Sequence, residues 1–215
     1  MLQHGDTFFP SGANALSWGL ETLHNDGMLR TPQDIDLFLN GQLKYRWALS
    51  DSPALARSYL NAQDLATVAD CDGEFESLSL ARELREGSCR LGGTLLRIHS
   101  QLGTPQADAY REMVQAGKAF GHLAIVQGLL WRGVGMSLDA AQTMSAHTLC
   151  IGAIGAAIRL GIMGHVDAQK VLAACHHRIA ILMQTPAKDE LSSFVPASEI
   201  AMMRHEVSQH RLFVN

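Results

Sequence analysis

The residues best suited to chemistry in this 215-residue chain are its ten histidines and four cysteines. Their spacing argues against most uses. His176 and His177 are neighbours, and on a helix adjacent side chains point about 100° apart, so the two do not converge easily on one ion. His205 and His210 are five apart, a poorer match than the i, i+4 spacing that aligns two ligands. His205 with Glu206 leaves room for a shared or transient metal contact, whereas surface or capping roles suit most of the other histidines. Cys175 beside His176 resembles a nucleophile and its base only on paper, because such pairs come from distant segments that fold together. There is no Gly-rich phosphate loop ending in Lys-Ser/Thr, no Gly-x-Ser-x-Gly elbow and no His-Glu-x-x-His pair. The expectation is a protein with no catalytic set and no resident metal or cofactor.

Binding chemistry is better represented. The tail Ser198-Glu-Ile-Ala-Met-Met-Arg204-His205-Glu206-Val-Ser-Gln-His-Arg211-Leu212-Phe213-Val-Asn215 mixes charge with large apolar side chains. Termini are usually polar and frayed, and such a tail is costly to leave loose in water, so docking on the body or on a partner is expected. Glu21, behind Trp18-Gly19-Leu20, and Arg159, which interrupts a run of small residues, are further candidates. A buried guanidinium without a counter-charge is very costly. Arg159 must therefore reach a carboxylate, carbonyls or solvent near a helix end, with Glu21 or Glu206 as possible partners.

Composition sets the frame for these groups. The mass of 23.4 kDa suits one sizeable domain, and apolar residues at 47% suffice for a core. Charged residues make up 18%, below the roughly 25% of an ordinary globular surface, which suggests a face covered by a partner. Net charge is −4, no two Lys or Arg are adjacent, and nucleic acid is not an expected partner. Cys71, Cys89, Cys150 and Cys175 form no C-x-x-C pair, and no signal peptide stands at the start; both point to reduced thiols and a cytoplasmic location. The longest apolar run, near Leu149 to Ile158, is about half of a membrane span.

Helix signals are frequent and strand signals nearly absent. Thr31-Pro32-Gln-Asp34 supplies a cap, a first-turn proline and an acid, followed by Ile35, Phe38, Leu39, Leu43 and Trp47 at helical spacing. Asp51-Ser-Pro53 repeats the start signal. Residues 74–102 read as one long helix weakened by Gly87 and Gly92-Gly93, which Gly103-Thr104-Pro105 ends. Further helices fit 106–116, 118–133, 137–160, 167–184 and 197–210. Small residues in 118–133 and 148–160 mark both as core helices, although a cavity lined by them is an alternative. The expected fold is an all-α single-domain bundle of about eight to ten helices over residues 1–215. A polar link at Thr185-Pro186 leads into a docking segment, 186–215.

Three segments in order carry a resemblance. Asp6-Thr-Phe-Phe-Pro10-Ser11-Gly12 followed by Trp18-Gly19-Leu20-Glu21 is one. Arg159-Leu160-Gly161 followed by Gly164-His165-Val-Asp167-Ala168-Gln169 is the second, and Met203-Arg204-His205-Glu206 with Arg211-Leu212-Phe213 is the third. Together they resemble the UreF urease accessory proteins. The resemblance implies an all-helical homodimer that binds the UreD (UreH) scaffold through its C-terminal region, recruits the UreG GTPase and docks on apo-urease to help deliver nickel. GTP and nickel would then belong mainly to the partners. On the same basis Arg204, His205, Glu206, Arg211, Leu212 and Phe213 are expected at the UreD/UreH contact or in ordering the tail, and Glu21 and Arg159 at the face coupled to UreG. Phe8, Phe9 and Trp18 are candidate interface anchors or core residues. The sequence departs from the family at Gly12-Ala13-Asn14 and at the Val214-Asn215 ending. The other readings are a small helical metal-dependent hydrolase using His and Glu, and a helical adaptor unrelated to urease.

Overall fold

A computed structural model describes residues 17–185 and 190–206, and within them every regular element is helical. The order is α1 (Leu20–Asn25), α2 (Pro32–Gln42), a π-helical stretch (Leu43–Asp51), α3 (Ser52–Leu60), α4 (Leu65–Leu78) and α5 (Arg82–Gln101). Then follow α6 (Ala107–Gln115), α7 (Leu123–Gly133), α8 (Leu138–Arg159), α9 (His165–Leu182) and α10 (Pro196–His205). Because α2, the π stretch and α3 run on without a break, the described residues form nine helices in one all-α domain. No helix among them is long and apolar enough to cross a membrane. The expectations at Phe8, Phe9, Arg211, Leu212 and Phe213 lie outside the described residues.

Thr31 opens α2 as its sequence dictates. Its hydroxyl accepts from the Asp34 amide at 3.2 Å and the Asp34 carboxylate accepts from the Thr31 amide at 2.8 Å, a reciprocal cap. Asp51-Ser-Pro53, in contrast, starts nothing. The chain there is already helical, and Ser52 N–H reaches back five residues to the Trp47 carbonyl. A proline inside a helix removes one donor and leaves the carbonyl four residues earlier open. That carbonyl, Leu49, instead accepts from Ser192 N–H at 2.9 Å, and the Tyr45 carbonyl accepts from Phe194 N–H at 3.0 Å. The widened π turn thus turns carbonyls outward, and the segment before α10 is pinned to them.

The single helix expected over 74–102 is two. The break falls at Ser79-Leu80-Ala81, where Arg85 Nη1 donates to the Ser79 and Leu80 carbonyls at 2.6 and 3.0 Å. Gly92 stays helical for a packing reason: a Cβ there would lie 2.0 Å from the Gly121 carbonyl oxygen. The helix expected from 118 begins only at Leu123, because the Asp72 carboxylate captures the amides of Phe120, Gly121 and His122.

At the centre, α7 buries Ile125, Val126, Leu129 and Leu130. It lies so close to α3 that a Cβ on Gly128 would stand 2.3 Å from the Leu55 carbonyl oxygen. The small residues Gly152, Ala153, Ala156 and Ala157 of α8 are likewise buried. Both helices are therefore core, as their composition implies.

Candidate partner-docking site

α10 returns the C-terminal region to the start of the described chain, and the local sequence explains how. Gly19 caps α1 with φ near 80°, a conformation glycine adopts at little cost. It also brings the backbone within reach of α10, since a Cβ there would meet the Ser198 carbonyl oxygen at 2.8 Å. Gln42 Nε2 donates to Ser198 Oγ at 2.7 Å from the opposite side. The inner face of α10 buries Ala201, Met202 and His205.

His205 is the centre of the contact. Its Nε2 lies 3.2 Å from Glu21 Oε2 and its Nδ1 3.0 Å from Glu83 Oε2, with all three residues buried. Both contacts are hydrogen bonds when both ring nitrogens donate, which is the imidazolium form. Glu21 and Glu83 occupy the first turns of α1 and α5, where the helix dipole favours an anion, and His205 occupies the last turn of α10, where it favours a cation. Three helix ends meet there.

Around this buried core the pairs are exposed. Arg204 forks onto both carboxylate oxygens of Asp26 at the end of α1, and Arg82 Nη1 lies 3.4 Å from Glu206 Oε1. Trp18 is buried, not displayed: the Arg46 guanidinium lies over its ring, 4.2 Å from the centroid, and Arg46 in turn approaches Asp51 at 3.4 Å. An exposed anchor role for Trp18 is thereby corrected. Its position directly before Gly19 makes it part of the seating of α1.

The outer face of α10 is different in character. Ile200 is 56% exposed and Met203 43%, one helical turn apart, and Phe194 in the segment before the helix is 71% exposed. Isolated exposed apolar residues are ordinary. Two on one face of a helix that is fixed from behind, with a third in the lead-in segment, form the most contact-ready feature of this region.

Of the residues singled out from sequence, Glu21, Arg204, His205 and Glu206 are brought into this one region. Glu83, Asp26 and Arg82, their partners, carried no sequence signal beyond first-turn or exposed charge. Arg159 is exposed at the last turn of α8, where partial burial lowers its pKa. His176 turns to His147 of α8, with the nearest ring nitrogens 3.1 Å apart, while Cys175 is buried.

Comparison with known proteins points in one direction. The family profile described as UreF matches residues 29–176. A urease accessory protein UreF of Paenarthrobacter aurescens is 30% identical over 214 residues, covering 98% of this chain and 94% of the relative. One from Trichodesmium erythraeum is 30% identical over 226 residues, covering 100% of this chain and 95% of its own. The corresponding protein of Lachnoclostridium phytofermentans is 29% identical over 223 residues, at 100% and 97% coverage.

Proposed function

The chain belongs to the UreF family of urease accessory proteins, and from that premise we propose that it is a non-catalytic chaperone bridging a UreD/UreH scaffold and a UreG GTPase on apo-urease. In this role it regulates GTP-dependent delivery of nickel, which is cargo, and it needs no cofactor of its own. It works in the cytoplasm as a homodimer. The segment 186–215 is its docking element toward UreD/UreH, with Arg204, Glu206, Arg211, Leu212 and Phe213 contributing. His205 and Glu21 act from inside, by holding α10 in place. Arg159, exposed at the end of α8, belongs to the face coupled to UreG.

The observation that supports this reading most is the division of labour on α10. Its inner face is fixed by a buried polar cluster, while Ile200 and Met203 stand outward on a helix that does not have to be ordered on binding. Preordering of this kind removes part of the entropic cost of association, and apolar anchors at the centre of an interface carry much of its energy.

The test is co-purification of the full chain with its cognate UreD/UreH and UreG. The wild type should form the complex, and a doubly substituted Ile200→Asp, Met203→Asp protein, folded to the same helical content, should lose UreD/UreH. A folded wild type that binds neither partner would sink the assignment; hydrolytic activity in the isolated chain would favour the enzyme reading instead.

A further inference from the structure

A second polar cluster lies away from α10, where α4, α5 and the turn before α7 converge. His122 is fully buried at the N-cap of α7; its Nε2 is 2.7 Å from Glu76 Oε2 on α4, and its ring nitrogens lie 3.6 and 3.8 Å from Cys89 Sγ on α5. One donor atom from each of Glu76, Cys89 and His122 lies within 4.8 Å of the others. We propose that Glu76, Cys89 and His122 form a binding site for a single divalent transition-metal ion of borderline softness, of the Zn2+ or Ni2+ class.

Three observations carry the inference. The first is the donor set: a thiol, an imidazole and a carboxylate select a borderline transition ion over Mg2+ or Ca2+, which prefer oxygen. The second is proximity. Tetrahedral ligands at about 2.0–2.3 Å from an ion stand about 3.3–3.6 Å apart. The Cys89 sulfur, 3.8 Å from Nε2 and 3.6 Å from Nδ1, lies beside the ring and must turn about χ1 to reach an ion held between Nε2 and Glu76, while the 2.7 Å contact to Glu76 must open by about half an ångström, as expected when an ion replaces a hydrogen bond. The fourth position is left for solvent or a ligand.

The third is the support behind the donors. Arg85 Nε holds the other Glu76 oxygen, Oε1, at 3.1 Å, leaving Oε2 directed at His122. The buried Asp72 carboxylate takes the Phe120, Gly121 and His122 amides at 2.9, 2.6 and 3.1 Å, fixing the backbone that carries the imidazole. The Phe75 ring packs 5.1 Å from the His122 ring. Such outer contacts orient metal ligands in known sites. Glu76 and Cys89 are only half-buried, so an ion has a way in. Binding of an ion to the Cys89 sulfur releases the thiol proton to solvent.

The site does not depend on the partner-docking reading, since it involves no residue of α10. The experiment uses reduced, metal-stripped full-length protein titrated with Co2+ as a spectroscopic probe, followed by Zn2+, Ni2+ and Mg2+ as competitors. One equivalent should bind with a thiolate-to-cobalt charge-transfer band. Cys89→Ala should abolish the band, and Glu76→Gln should weaken binding by about tenfold or more, both with unchanged helical circular dichroism. Competition by Zn2+ or Ni2+ but not Mg2+ identifies the preferred ion. Absence of the band in the wild type, its persistence in Cys89→Ala, or equal competition by Mg2+ would each overturn the proposal. Should Cys89→Ala not fold, the wild-type titration and Glu76→Gln decide the question.

Discussion

Glu21 Oε2 lies 3.2 Å from His205 Nε2 across 184 residues of sequence, joining the first described helix to the last. The same ring reaches Glu83 on its other side, so one imidazole serves two buried carboxylates. His205→Ala removes the donor that both share. Taking a hydrogen-bond partner from buried polar groups costs about 1–3 kcal/mol, and the loss should appear in denaturant unfolding. His205→Gln, which keeps one donor, should lose less. Hydrogen exchange should show α10 opening first in the Ala variant.

A packing prediction follows from Gly128, where no Cβ fits against Leu55 of α3. Gly128→Ala improves intrinsic helix propensity by about 1 kcal/mol, but the added methyl must push α3 and α7 apart. Overpacking of a tight core typically costs about 1–3 kcal/mol. Net destabilisation, read from the midpoint of chemical unfolding, is the expected outcome, and net stabilisation would show that the helices separate freely.

These two sites differ in how far the sequence revealed them. Gly128 stands in a run of small and apolar residues at helical spacing, so its core role was legible; periodicity also placed α2 and α6 to α9 to within a few residues at most ends, except the start of α7. The departures have local causes. Pro53 reads as a helix start because the π stretch, which supplies a partner for the Leu49 carbonyl from Ser192, leaves no mark in the sequence. The late start of α7 depends on Asp72, 48 residues before Phe120, whose amide it takes. Glu21 stands out in the sequence by its charge among apolar neighbours, and His205 by its place in a tail that mixes charge with large apolar side chains, as well as by family resemblance, while Glu83 completes the cluster only in three dimensions. Glu76, Cys89 and His122 come from three elements, and no spacing rule connects them.

His147 gives a pH prediction with a definite sign. Burial, and then the nearby His176, lowers its pKa below the ordinary 6.5. The unfolded chain then takes up the proton more readily than the folded one. This contribution to stability is complete above the unfolded value and is lost as pH falls below it. Thermal unfolding between about pH 7.5 and about pH 5.5 should show the wild type losing more stability than His147→Gln. An equal loss in both proteins would remove His147 from the acid response.

The most direct test of the docking account is the affinity of the full chain for UreD/UreH, measured for wild type, Ile200→Asp, Met203→Asp and His205→Gln by calorimetry. The two outward substitutions should change folding stability by no more than about 0.5 kcal/mol, yet each should weaken binding by about tenfold or more, an anchor's share of about 1.4 kcal/mol or above. His205→Gln should weaken binding less than either and lower stability more. Wild-type affinity in both outward variants, with the fold intact, would contradict the assignment of α10 as the docking face.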